Sequence, residues 1–182
     1  MARALVLKDR KIDLCLSGIN HGSNASINII YSGTMSAAME ASLEDIDSIG
    51  FSLLDYRMEA DFAATQKVAG KIISDVLKNG MQNTRLLNVN IPAIPFEEIK
   101  GIKVCRQAKG NWTEEYVRHQ DPRDNTYYWM AGEFYNLDKG EDHDLWALEN
   151  NYVSVVPSQH DLTRYEALDT MKYLEENSSA AS

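Results

Sequence analysis

An α/β fold on a largely parallel sheet is the class this sequence predicts, and three observations predict it. Strand and helix periodicities alternate as β, α, β, α, β from Ile12 to Ile91, the pattern of crossover units in a parallel sheet. Between the first strand and the first helix lies Ser17 to Glu40, SGINHGSNASINIIYSGTMSAAME, and open α/β sheets deliver polar loops of this kind at the carboxyl ends of their strands. Beyond Gly110 the periodic helices stop and an aromatic, polar segment begins.

Each element follows from its local pattern. Ala4 to Lys8 reads as the end of a helix, with Asp9 to Lys11 as its polar connection. Ile12 to Leu16 is an apolar run of buried-strand type, and Gly18 and Gly22 let the following loop turn sharply while Asn20, Asn24 and Asn28 load it with amides. Ser32-Gly33-Thr34 opens a helix that carries Met35, Ala38 and Met39 at core spacing. Ile49 to Leu54 is the next strand, and Asp55 at its carboxyl end reads as a solvated turn acid. Asp61 caps a helix through Asn79 whose stripe includes Val68, Ala69, Ile72 and Val76, and Gly80 stops it. Leu86 to Ile91 alternates, with Leu87, Val89 and Ile91 on one face and Asn88 and Asn90 on the other. Those two amides are expected to bond neighbouring loops, because covered polar groups are paired.

Pro92 and Pro95 close that strand, and Gly101 to Arg106 forms another, with Arg106 read as a structural ion-pair partner. Trp112 to Gly140, with Tyr116, Tyr127, Tyr128, Trp129, Phe134 and Tyr135, reads as an antiparallel hairpin or arm. Its aromatic stripe is expected to serve packing or subunit contact, because base-stacking grooves are usually basic. The run Asp138, Glu141, Asp142, His143, Asp144 lacks strict ligand spacing and reads as a solvated charge run. Tyr152 to Val156 is a late strand, and a final helix extends to about Glu176 behind a T-x-x-E box at Thr163 and Glu166. Residues 1–110 thus form an α/β core, residues 111–176 the arm, late strand and carboxyl-terminal helix of the same domain, and residues 177–182 a flexible tail.

Bulk properties narrow the function. The chain has 182 residues, with 27 acidic against 18 basic side chains and a net charge of -9, which argues against a basic surface for nucleic-acid polymers. Two cysteines, Cys15 and Cys105, sit in apolar strands, a pattern of buried thiols in a reducing compartment. MARALVLKDR lacks the length and flanks of a signal peptide, and no membrane-length apolar stretch follows it. A soluble, cytoplasmic protein is expected.

The chemistry concentrates between Ser17 and Glu40. A helix start offers unpaired N–H groups and a positive dipole end to a phosphate or carboxylate. Gly33 leaves room for an anion, and the Ser32 and Thr34 hydroxyls can donate to it. An Asn side-chain oxygen is a hard ligand of the type Mg²⁺ or Mn²⁺ accepts. His21, beside Asn20, is placed to act as a proton donor to a leaving oxygen. The same residues also read as a Ser N-cap and Asn-stabilised turns.

The pattern S-G-I-N-x-G-x-N, six residues, then Y-S-G-T-x-x-A-A-x-E resembles the signature of the SurE survival-protein family of metal-dependent nucleotidases. Similar segments recur at Leu87-Asn88-Val89-Asn90-Ile91-Pro92, from Tyr128-Trp129 to Gly132, and at Tyr152-Val153-Ser154 with Pro157 and Asp161-Leu162-Thr163. The resemblance covers nearly the whole chain. It implies a Rossmann-type three-layer fold, hydrolysis of nucleoside monophosphates with Mg²⁺ or Mn²⁺, and a homo-oligomer, dimer or tetramer. Carried over by position, it implies Asn20 as a metal ligand, Ser32, Gly33 and Thr34 as the phosphate cradle, and Asn24 as a supporting loop residue.

The family pattern also includes a strand ending in Asp-Asp-Gly and a further Ser ligand, and no Asp-Asp pair occurs in this sequence. Asn150-Asn151 stands where the family has a glycine before Tyr152, and Val156 where it has Thr before Pro157. The resemblance therefore implies the carboxyl-terminal part of a nucleotidase with an incomplete metal site. On that reading the isolated chain lacks catalysis of its own, and a non-catalytic assembly piece or a phosphate-binding module are the alternatives.

Overall fold

Three parallel strands and two later ones make the central sheet of the structure, a computed structural model that describes residues 2–176. Along the chain, β1 (Cys15–His21), α1 (Gly33–Leu43), β2 (Ser48–Leu53), α2 (Ala63–Asn79), β3 (Leu86–Ile91) and β4 (Gly101–Val104) come first. An arm of β5 (Gly110–Trp112), β6 (Glu115–Gln120), β7 (Thr126–Ala131) and β8 (Phe134–Asn136) follows, then α3 (Asp144–Glu149), β9 (Tyr152–Ser158) and α4 (Tyr173–Glu176). The sheet order is β1-β2-β3-β9-β4. β1, β2 and β3 run parallel, whereas β9 runs against β3 and parallel to β4.

Alternation along the strands sorts residues into two layers of packing. Ile49, Phe51, Val89, Ile91, Val153 and Val155 form one cluster with Val68, Ala69 and Ile72 of α2. On the other face Leu86 meets Met35 and Ala38 of α1, and Val156 meets Ala147 of α3 and Cys105. The three-layer α/β class predicted from the sequence is the class observed. The cap position of α2 is Phe62 rather than Asp61, which lies one residue earlier and accepts from Ala63 N–H at 2.8 Å through Oδ1. The helix ends at Gly80, whose φ of +71° breaks the helical path while its N–H still reaches Val76 O.

The arm pairs β6 with β7 and β5 with β8, both antiparallel, as the aromatic segment predicts. Its turn is held by Asp121 Oδ1, which accepts from the N–H groups of Arg123 and Asn125. Arg106 joins the arm to the core, since its guanidinium bonds both Asp138 and Asp142 at 2.7–2.8 Å. That fork drives the Arg106 pKa up and holds the carboxyls of Asp138 and Asp142 below the usual range. The structural pairing read for Arg106 is the one observed.

Several boundaries differ from the sequence reading. The first strand is β1, Cys15–His21, three residues later than Ile12 and extending through S-G-I-N. Polar Ser17 and Asn20 disguise it, because β1 bulges at Gly18 and loses a clean alternation. A π-helical turn over Ala2–Val6 replaces the helix end placed at Ala4 to Lys8. β4 stops at Val104, so Arg106 lies beyond it. The charge run contains the start of α3, with His143 Nδ1 accepting from Trp146 N–H at 3.0 Å as its cap.

The last segment is not one continuous helix. Short 3₁₀ turns at Tyr165–Ala167 and Asp169–Met171 precede α4, and Asp161 rather than Thr163 supplies the local acceptor, to Thr163 N–H at 2.8 Å. Leu168 and Leu174 are each 54% exposed, so the apolar face has no layer to pack on among the described residues, and short helices need such packing to persist. The tail predicted over residues 177–182 lies outside the described residues.

Candidate functional site

The carboxyl ends of β1, β2 and β3 share one edge of the sheet, where the loops after them meet. α1 runs back along β1 and β2, which brings its first turn toward the same edge. The backbone reaches this arrangement through two glycines. Gly18 has φ +112°, and a side chain there would run into the Phe51 carbonyl. Gly22 has φ +91°, and a side chain there would run into the Tyr56 ring.

Asn20 is the penultimate residue of β1. Its Nδ2 donates to the carbonyls of His21 and Gly22, both at 3.0 Å, which leaves Oδ1 without a hydrogen-bond partner among the described residues. His21 Nδ1 lies 2.9 Å from the Arg57 carbonyl. A carbonyl only accepts, so Nδ1 carries the hydrogen and Nε2 is the open nitrogen. The ring rests edge-on against Phe62, with centroids 4.9 Å apart.

Asp55 is buried at the end of β2 rather than solvated as the sequence suggested. The reason is Arg57, two residues on, whose backbone N–H, Nε and Nη2 all donate to its carboxylate at 2.6–3.1 Å. These bonds bring the Asp55 carboxyl down to about 2. Both oxygens are therefore engaged.

The segment from Ser23 to Ser26 is clamped from below by the strands. Asn24 Nδ2 donates to Ser52 Oγ at 2.7 Å, Asn24 N–H donates to Asn90 Oδ1 at 2.7 Å, and Asn88 Nδ2 donates to Asn24 O at 2.8 Å. Asn90 Nδ2 closes the ring on Asn88 Oδ1 at 3.0 Å, and Ser23 Oγ donates to Asn90 Oδ1. The amides of the third strand thus bond the loop, as their placement on one strand face predicts. Asn24 supports the loop and is itself 5% exposed.

A second clamp escaped the sequence reading. Asp144, fully buried, accepts from Ser26 N–H at 2.7 Å, Ala108 N–H at 2.9 Å and Leu145 N–H at 2.8 Å. Burial pushes its carboxyl up, while those three N–H groups pull it down. Ser26 Oγ donates to Ala108 O and accepts from Gly110 N–H, so the loop is also tied to β5. The only local signal for Asp144 is its place just after a capping residue, which the surrounding charges hide.

A 3₁₀ helix over Ser26–Tyr31 then leads to Ser32. Ser32 Oγ caps α1 by accepting from Met35 N–H at 3.0 Å, and it keeps its own hydrogen for an acceptor. Gly33 is exposed, and nothing lies within 4 Å of where its side chain would be. The N–H groups of Gly33 and Thr34 have no carbonyl one turn earlier in the helix, so the first turn offers two backbone donors and two hydroxyls beside open space.

This donor set suits an anion better than a cation. Asn20 Oδ1 is one neutral oxygen, the Asp55 carboxylate is occupied by Arg57, and no group of three or more His, Cys, Asp or Glu residues gathers to hold a metal among the described residues. Asp138 and Asp142 of the charge run go to Arg106, and Asp144 goes to backbone N–H groups instead. These residues do not fit a hard divalent ion by themselves, since such ions rely on carboxylates. Cys15 and Cys105 are free thiols, and burial first, then Asp144, pushes the Cys105 thiol up to about 11. Among the described residues no helix is long and apolar enough to cross a membrane.

Comparison with known proteins places this geometry in context. Residues 1–114 match the family described as Survival protein SurE. The chain is 59% identical over 156 residues to the 5'-nucleotidase SurE of Christiangramia forsetii, covering 86% of this chain and 60% of that protein. It is 54% identical over 162 residues to the 5'-nucleotidase SurE of Flavobacterium psychrophilum, covering 89% of this chain and 63% of that one. The crystal structure of the SurE protein from Aquifex aeolicus superposes with a TM-score of 0.82 at 43% identity, over 96% of this chain and 70% of that one. The chain thus spans about 60–63% of the length of these two curated relatives.

Proposed function

This chain belongs to the SurE survival-protein family, and on that premise we propose that it carries the phosphate-binding part of a site that hydrolyses nucleoside monophosphates. The observation that supports this most is the doubly clamped loop from Asn20 to Ser32, which runs from a strand end into an open helix start. In this reading the N–H groups of Gly33 and Thr34, with the Ser32 and Thr34 hydroxyls, receive the phosphoryl oxygens. Asn24 holds the loop, and we assign Asn20 Oδ1, open at the end of β1, to the same site. His21 is our candidate for protonating a leaving oxygen: with Nδ1–H held by the Arg57 carbonyl, the ring gives up a proton from Nε2 only after taking one there first, as the imidazolium.

Hydrolysis is not a step these residues perform alone. The Mg²⁺ or Mn²⁺ of the family reaction needs carboxylates that the described residues do not gather. Phosphate release from nucleoside monophosphates with Mn²⁺ or Mg²⁺ is expected to be absent with this chain and present when it is extended by an Asp-Asp-Gly strand. An inactive extended chain would sink the proposal. Binding is separable from turnover: a nucleoside monophosphate without metal is expected to raise the melting temperature of the chain itself.

A second reading, assembly, is favoured by the arm. Tyr128, Trp129 and Met130 on β7 are 61–70% exposed in a row, and exposed apolar patches of this kind mark contacts between chains. We propose a homo-oligomer through β6 and β7. Light scattering that finds only a monomer at high concentration, unchanged by Trp129→Ser, would remove it.

A further inference from the structure

The aromatic groups nearest the clamped loop are not those of the long hairpin. Trp112 of β5, Phe134 of β8 and Tyr56 after β2 surround a cavity of about 340 Å³ whose wall also includes Ser23 and Asn28. Trp112 and Phe134 meet edge to face at 5.4 Å. Trp112 Nε1–H donates to Asn28 Oδ1 at 2.9 Å, which fixes the indole against the loop. The Asn28 Nδ2 then has no partner among the described residues, and neither has the Glu149 carboxylate in the same wall. Tyr56 is 71% exposed, with its ring set against Gly22.

The cavity therefore has flat aromatic walls, one open amide donor and one open carboxylate acceptor. It shares Ser23 and Asn28 with the loop that joins Asn20 to Ser32, so one wall of the cavity is built from the same loop as the candidate site. A purely apolar occupant would leave Asn28 and Glu149 unused, and a simple anion would be repelled by Glu149. A heteroaromatic ring matches both features, since its faces stack on aromatic side chains and its edge carries acceptors and N–H donors.

Resting on the reading above, we infer that this cavity is the nucleobase subsite. The base stacks on Trp112, its edge meets Asn28 Nδ2 and the Glu149 carboxylate, and the phosphate reaches the start of α1. Adenine, guanine and cytosine each bring an exocyclic amino group for Glu149 to accept from.

The test follows the indole N–H signal of Trp112 and the amide of Gly33 by ¹⁵N NMR on the full chain, titrated with inorganic phosphate, ribose 5-phosphate, adenosine and AMP. Shifts of Trp112 with adenosine and AMP, and of Gly33 with phosphate, ribose 5-phosphate and AMP, are the expected result. If AMP and phosphate move Gly33 alone, phosphate binding stands and the base subsite is overturned. If adenosine moves Trp112 but no phosphate moves Gly33, the subsite stands and the phosphate reading falls. If no ligand moves either signal, both fall. Trp112→Ala is expected to cost AMP about tenfold in affinity relative to phosphate, the scale of one base–aromatic stack, and Trp112→Phe to recover most of it.

Discussion

The two faces of the sheet are cut from the same strands and do opposite work. Toward α2, Ile49, Phe51, Leu87, Val89, Val153 and Val155 are apolar without exception, and each such burial contributes about 1.5–3 kcal/mol. One residue along, on the opposite face, Ser52, Asn88, Asn90 and Ser154 are equally buried and entirely polar. The first face holds the layers together. The second gives up apolar contact at its carboxyl end to supply fixed partners for a loop, and a net hydrogen bond contributes only about 0.5–1.5 kcal/mol. The difference teaches that stability and positioning occupy alternate residues of one strand.

Substitutions on the two faces should therefore separate. Ile49→Ala is expected to cost about 2–5 kcal/mol in denaturant unfolding by opening a cavity, with the affinity of the remaining folded protein for phosphate unchanged. Asn90→Ala leaves Asn24 N–H and Asn88 Oδ1 unpaired, at about 1–3 kcal/mol each, and takes the acceptor from Ser23 Oγ. It is expected to abolish the Gly33 response to phosphate as well. If Asn90→Ala lowered stability and left phosphate binding intact, the division between the faces would fail.

Acid should sharpen the same contrast at the loops. The Asp55 carboxyl, brought from 3.8 to about 2 by Arg57, ionises more readily folded than unfolded. Its contribution is complete above about pH 4 and is lost as the pH falls through about 2. Asp144 moves the other way, because burial favours its protonated form in the fold. Its contribution is present below the ordinary carboxylate range and is lost as the pH rises through its raised pKa. Carboxyl ¹³C titration is expected to find the two displaced in opposite directions, and Arg57→Gln to return Asp55 toward 3.8.

The smallest expected effect is at Ser154, whose hydroxyl is buried without a partner among the described residues. Ser154→Ala removes an unsatisfied group at nearly constant shape, so melting is expected to stay level or rise by up to about 1 kcal/mol. A clear loss would mean that this hydroxyl belongs to the polar network after all.

Local periodicity carried most of the layer structure. Leu86–Ile91 alternates so cleanly that strand, faces and the role of its amides were all legible, and Gly80 stops α2 as its chemistry requires, whereas the start of α2 falls one residue beyond Asp61. What escaped depends on distant partners. Nothing near Tyr152 tells that β9 inserts between β3 and β4 against the direction of β3. Asp144 looks like one acid among several until Ser26, 118 residues earlier in the chain, donates to it. Asp55 reads as a turn acid because the covering guanidinium of Arg57 has no sequence signature. Around the candidate site, the turning roles of Gly18 and Gly22 were readable from residue type, whereas the aromatic cavity beside Ser23 arises only when Tyr56, Trp112 and Phe134 converge.

The bond from Asn24 N–H to Asn90 Oδ1 has a kinetic consequence. A loop amide ordinarily trades its hydrogen for solvent deuterium within moments of exposure. Here the acceptor sits on the central strand and is fully buried, so release requires the clamped loop to lift off the sheet. Asn24 should therefore exchange far more slowly than an open loop amide, on a clock set by the opening of the clamp formed by Ser52, Asn88 and Asn90.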